Sequence, residues 1–121
     1  MNESFVFDTY ALIEIIKGNK NYKIYTNEKI VINNFIFSEL CYVLFREGYP
    51  NTEKWLGKFM KYIFSVKSDI IKDAMYFRVK NKKQNMSITD CISYFMAKNL
   101  GIRFLTGDKE FEKLENVEFV K

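Results

Sequence analysis

A chain of 121 residues with 48% hydrophobic residues, 28% charged residues and a single proline can bury a real core, which excludes a disordered segment. The complete absence of histidine excludes His-based acid–base catalysis, Ser–His and Cys–His nucleophile pairs and most transition-metal sites in one step. With 19 Lys and Arg against 15 Asp and Glu, the net charge of +4 suits a polyanionic partner or, equally, an ordinary solvated basic surface.

In chain order, the first strand is Phe-Val-Phe at 5–7, followed at once by Asp8 and a helix over 9–17 that Gly18 stops. A second strand, 30–32, precedes a helix over 35–47 whose apolar stripe is Phe37, Leu40, Cys41, Leu44 and Phe45, closed by Gly48. Helices are predicted over 52–63 and 68–82, with a weak strand at 64–66 between them. A helix over 88–100, striped by Ile88, Cys91, Ile92, Phe95 and Met96, ends at Gly101. A strand at 102–105, a short helix at 109–114 and a strand at 117–120 complete the chain.

Short continuous apolar strands suit a sheet covered on both faces, the habit of parallel sheets. Alternation of strand and helix along the whole length predicts one domain over 1–121, a right-handed, doubly wound α/β sandwich. No window reaches the ~18 apolar residues of a membrane span. The start has neither a basic region nor a long apolar run, so no signal peptide is expected and the predicted location is cytoplasmic. Cys41 and Cys91 both lie in apolar helical patterns and are expected to be buried free thiols.

In an open α/β sheet, functional groups gather beyond the carboxyl ends of the strands. Asp8 follows the first strand, Asp108 follows Arg-Phe-Leu-Thr-Gly, Asp90 lies in the first turn of the helix beginning near Ser87, and Glu39 lies in the first turns of the helix after the second strand. Each has a structural role open to it: Asp8 and Asp108 as N-caps, Asp90 as part of a Ser-x-x-Asp capping arrangement, Glu39 as a solvated helical charge. Taken together, four crowded carboxylates repel one another unless a cation or shared protons neutralise them. Oxygen donors without histidine favour Mg²⁺ or Mn²⁺, ions that activate water and stabilise phosphodiester cleavage.

The ordered segments FVFDTYALIE, FSEL, SITDCISYFMAKNLG and RFLTGDKEFEKL, then VEFV, resemble the PIN-domain nucleases, and among them the small VapC-type toxins of prokaryotic toxin–antitoxin pairs. The resemblance covers nearly the full chain. It implies a PIN-like three-layer α/β/α sandwich with a short, mostly parallel central sheet, and Mg²⁺- or Mn²⁺-dependent endonucleolytic cleavage of single-stranded RNA. It matches Asp8, Glu39, Asp90 and Asp108 to the family's four metal-holding acids, and Thr106 to the hydroxyl residue of its Thr-x-Asp pattern, which positions an acid or a water. It further implies a homodimer and an antitoxin segment that occludes the acidic pocket. Tyr10 departs from the pattern: many relatives carry a small Ser or Asn there. Glu112 is a candidate fifth, peripheral acid, against the simpler role of an exposed helix charge.

The densest basic run, with Arg78, Lys80, Lys82 and Lys83, is a candidate RNA track or a solvated helix end. Tyr22, Tyr25, Trp55 and Tyr76 are candidates for base stacking, in competition with core packing and a protein interface. A receiver domain or an Asp-nucleophile phosphatase fits poorly, because the first lacks its paired acids and the second has Tyr10 where its second Asp belongs. A housekeeping RNA-processing nuclease and a catalytically silent RNA- or protein-binding module remain as alternatives to the toxin.

Overall fold

The computed structural model describes residues 2–121. The apolar runs become β1 (Ser4–Phe7), β2 (Lys29–Val31), β3 (Arg103–Thr106) and β4 (Val117–Phe119), which form a parallel sheet in the order β2-β1-β3-β4. β1 is central because Phe5, Val6 and Phe7 are all buried and so want cover on both faces. Its register pairs Val6 with Val31 on one side and with Phe104 on the other.

The helices are α1 (Thr9–Lys17), α2 (Asn34–Glu47), α3 (Thr52–Phe59), α4 (Ser68–Lys80) and α5 (Ile88–Leu100). The chain steps from β1 outward to β2 through α1, then back across β1 to β3 through α2 to α5. Right-handed crossovers in opposite directions send their helices to opposite faces, the three-layer arrangement expected. That reversal also makes the gap between the carboxyl ends of β1 and β3 the switch point of the sheet. Gly18, Gly48 and Gly101 stop α1, α2 and α5 in the left-handed conformation, at φ of 79°, 63° and 71°.

Three expectations change in the structure, and one element is new. The strand expected at 64–66 shrinks to one parallel bridge between Ile32 and Ile63, since Phe64 and Ser65 are exposed and have little to bury. The helix over 52–63 stops at Phe59 and tightens into a 3₁₀ turn, Met60–Tyr62, and the 109–114 helix is a 3₁₀ turn at Lys109–Phe111. A further 3₁₀ segment, Lys20–Asn27, packs Tyr22 and Tyr25 inward three residues apart.

Those two tyrosines are therefore core and not base-stacking residues. Tyr22 is fully buried and donates its hydroxyl to the Val120 carbonyl at 2.6 Å, while Tyr25 packs edge-on against Phe5 and donates to Glu118. Tyr94, Phe104 and Phe111 build a second aromatic cluster, with centroids 5.4 to 6.2 Å apart. Cys41 and Cys91 are free thiols, the second buried. No helix among the described residues is long and apolar enough to cross a membrane.

Candidate active site

The carboxyl ends of β1 and β3 meet directly: the Asp8 amide donates to the Leu105 carbonyl at 3.0 Å. Above this junction opens a cleft of about 510 Å³ whose lining includes Asp8, Glu39, Asp90 and Asp108. All four predicted acids thus reach one cavity. Glu112 is exposed and lies outside its lining. So do Arg78, Lys80, Lys82 and Lys83; Arg78 donates to the Met86 carbonyl at 2.9 Å, pinning the loop before α5.

Cap geometry separates the acids that look alike in sequence. Asp108 behaves as a cap, accepting from the Glu110 amide at 3.0 Å. Asp8 stands at the N-cap position of α1 yet makes no side-chain cap bond. It forgoes roughly 1 kcal/mol of cap stabilisation and turns instead into the cleft, 3% exposed, where it accepts from the Thr106 hydroxyl at 2.5 Å. That hydroxyl in turn accepts from the Asp108 amide at 3.0 Å, so its one proton is committed to Asp8. At α5 the cap is Ser87, accepting from the Asp90 amide at 3.0 Å, which leaves the Asp90 carboxyl free to face Asp8.

Asp8 and Asp90 are neighbours in the cleft, close enough for each carboxyl to shift the other, and crowded carboxyl groups ease their repulsion by sharing a proton. Burial raises the pKa of both. Asp90 is raised further by the charge of Asp8 beside it and then by Glu39 and Asp108. For Asp8, burial is opposed by Asp90 beside it and by the bond it accepts from Thr106.

Sequence reading missed several groups here. Thr9 donates its hydroxyl to Glu39 Oε1 at 2.8 Å, tying α2 to the end of β1. Asn33, fully buried, caps α2 by accepting from the Ile36 amide at 2.9 Å and donates to Ser93 on α5 at 3.1 Å. It holds the helix of Glu39 against the helix of Asp90. Its place just before a predicted helix start is a signal for the cap, but not for the cross-helix bond. Lys109 and Lys121 also line the cleft.

The donor set is oxygen alone, and two crowded carboxyl groups with raised pKa values mark a place where positive charge is wanted. No three His, Cys, Asp or Glu side chains among the described residues form a ready-made ion cage. Mg²⁺ keeps several waters and takes only one or two carboxylates directly, so an adjacent pair with two further acids around the cleft fits it. The residues present therefore fit a hard divalent cation.

The PIN domain family model matches residues 5–117. The chain belongs to the PIN-domain family. Similar solved structures include a toxin–antitoxin complex from Klebsiella pneumoniae, 18% identical with a TM-score of 0.74, which covers 94% of this chain and 95% of that one. VapC20 of Mycobacterium tuberculosis, a sarcin–ricin loop cleaving toxin, is 16% identical with a TM-score of 0.77 over 98% of this PIN domain and 100% of its own chain. VapBC2 from Rickettsia felis, bound to a DNA fragment from their promoter, is 16% identical with a TM-score of 0.73 and covers 97% of each chain. At these identities the likeness is one of fold. A comparison with curated protein sequences returns no significant match.

Proposed function

We propose that this PIN domain is a Mg²⁺- or Mn²⁺-dependent endoribonuclease that cuts single-stranded RNA, and the toxin of a toxin–antitoxin pair. The observation that carries the reading is the convergence of Asp8, Glu39, Asp90 and Asp108 on one cleft, with Asp8 and Asp90 close enough for each to shift the other's pKa. A crowded, desolvated acid pair costs folding free energy at neutral pH, and groups perturbed in this way cluster at functional sites. Fold likeness to toxin–antitoxin proteins supports the biological role.

In this reading Asp8 and Asp90 hold the ion, with Glu39 and Asp108 completing the negative field around it. The ion supplies Lewis acidity toward a phosphodiester oxygen and lowers the pKa of a water toward neutrality. Thr106 keeps Asp8 in one rotamer through its 2.5 Å bond, and Thr9 does the same for Glu39. Asp108 stays close to the pair because its amide is bonded to the same Thr106 hydroxyl. Lys80, Lys82 and Lys83 are exposed and offer a track for a longer RNA outside the cleft. Tyr42 and Phe45, 64% and 58% exposed on the helix that carries Glu39, suit the antitoxin segment or second copy that the toxin role requires.

The test is cleavage of labelled single-stranded RNA oligonucleotides with Mn²⁺, Mg²⁺ or chelator. Wild type is expected to cut only with the divalent ion, and Asp8→Asn to lose at least about 10³-fold in rate while staying folded. Cutting that persists in chelator, or full activity in Asp8→Asn, would sink the mechanism.

A further inference from the structure

We propose that Lys121, seated on the ring of Tyr10, binds a backbone phosphate of the substrate next to the one being cut, so that Tyr10, Gly107 and Lys121 form a phosphodiester subsite. The inference rests on the endoribonuclease reading and deepens it. Among the described residues lining the acid cleft, the cations are Lys109 and Lys121. Two lysines elsewhere pair with carboxylates, Lys98 with Glu115 at 3.0 Å and Lys17 with Glu14 at 3.7 Å. Like Lys109, Lys121 shares its cleft with four acids and forms no ion pair with any described residue. Its Nζ lies over the Tyr10 ring instead, 5.5 Å from the centroid.

The backbone beneath this lysine is held in place. The Val120 amide donates to the Thr106 carbonyl at 2.9 Å, the Tyr22 hydroxyl donates to the Val120 carbonyl at 2.6 Å, and the Asn21 side chain donates to the Lys121 carbonyl at 2.9 Å. The ring is equally fixed. A Cβ on Gly107 would stand 2.2 Å from Tyr10 Cε1 and 2.6 Å from the Val120 carbonyl oxygen, so the large residue at 10 and the missing side chain at 107 are fitted to each other. The cleft therefore carries a fixed aromatic seat on which the Lys121 ammonium rests. A polynucleotide in the cleft presents one phosphate to the acid cluster and its neighbour to such a cation, a contact that positions the strand without reading sequence.

The experiment measures anisotropy of a labelled single-stranded RNA in chelator over a salt series, and steady-state cleavage with Mn²⁺, for wild type, Lys121→Gln, Lys121→Arg, Tyr10→Phe and Tyr10→Ser. Lys29→Gln, at the opposite end of the sheet, is the control. Lys121→Gln is expected to raise KM about 5- to 10-fold with kcat within about twofold, and to reduce the salt slope of binding by about 0.7, the increment for one phosphate on a single strand. Tyr10→Ser should share that loss, and Lys121→Arg, Tyr10→Phe and Lys29→Gln should stay close to wild type. Unchanged KM and salt slope in Lys121→Gln, with a wild type that binds and cuts RNA, overturns the subsite and leaves the nuclease reading standing. A wild type that neither binds nor cuts RNA overturns both.

Discussion

Asp90→Asn is expected to abolish RNA cleavage, by at least about 10³-fold, while raising the melting temperature of the metal-free protein. The two effects share one cause. Burial, then the charge of Asp8, pushes the Asp90 carboxyl up to about 10, whereas in the unfolded chain it titrates in the ordinary carboxylate range near 4. Between those values the folded protein holds a proton that the unfolded chain has released. Stability therefore falls as pH rises from about 4 toward the folded value, since stability follows the state that binds fewer protons as pH increases. Asn copies the shape and the donor of the protonated acid without having a proton to lose.

The variant should accordingly gain roughly 1–3 kcal/mol at pH 7, a rise of about 3–10 °C, with little gain near pH 4. Melting followed by circular dichroism in chelator at pH 5, 7 and 9 tests this. Wild type should lose stability across the series and Asp90→Asn should lose less. A divalent ion should reverse the order, because preferential binding at about 100 times its Kd adds roughly 2.7 kcal/mol to wild type alone. An Asn variant that melts below wild type in chelator at every pH would overturn the raised titration of Asp90.

Asn33→Ala carries the second large effect. It removes the side-chain cap of α2 and the buried bond to Ser93, at a combined cost of about 2–4 kcal/mol. The consequence for function comes through position. Without Asn33, the helix carrying Glu39 is no longer bonded to the helix carrying Asp90, and metal affinity should weaken as well as stability. Asn33→Ser separates the two contributions, since serine can still cap Ile36 but is too short to span to Ser93. It should recover about 1 kcal/mol of the loss and little of the metal affinity. Thermal melts and Mn²⁺ titration of both variants give the comparison, and a wild-type melting temperature in Asn33→Ala would refute the role.

Much of the fold was legible because strong local signals agreed. Helices α1, α2 and α5 each end on a glycine that takes the left-handed conformation, and the predicted span 88–100 is the observed Ile88–Leu100. The 20–27 segment was missed because its buried pair, Tyr22 and Tyr25, repeats every three residues, which a search for the 3.6-residue period does not detect. Acids placed after apolar strands led to the cleft, since that placement is local. Which acid caps and which faces the cleft was not legible, because Asp8 and Asp108 occupy the same kind of position and differ only in contacts across the sheet. Thr9, Asn33 and Lys121 escaped for the same reason. Their partners lie on other elements, 30 residues away for Thr9, 60 for Asn33 and 111 for the Lys121–Tyr10 contact.

In the proposed site, a divalent ion binding between Asp8 and Asp90 displaces the proton that their raised pKa values retain at neutral pH. Titration calorimetry of Mn²⁺ at pH 7, repeated in buffers of differing ionisation enthalpy, counts the protons that leave when the ion binds. Wild type is expected to release about one proton per ion, and Asp90→Asn to show neither that release nor tight binding. Mn²⁺ that binds wild type without releasing a proton, or that binds Asp90→Asn equally well, would contradict this displacement.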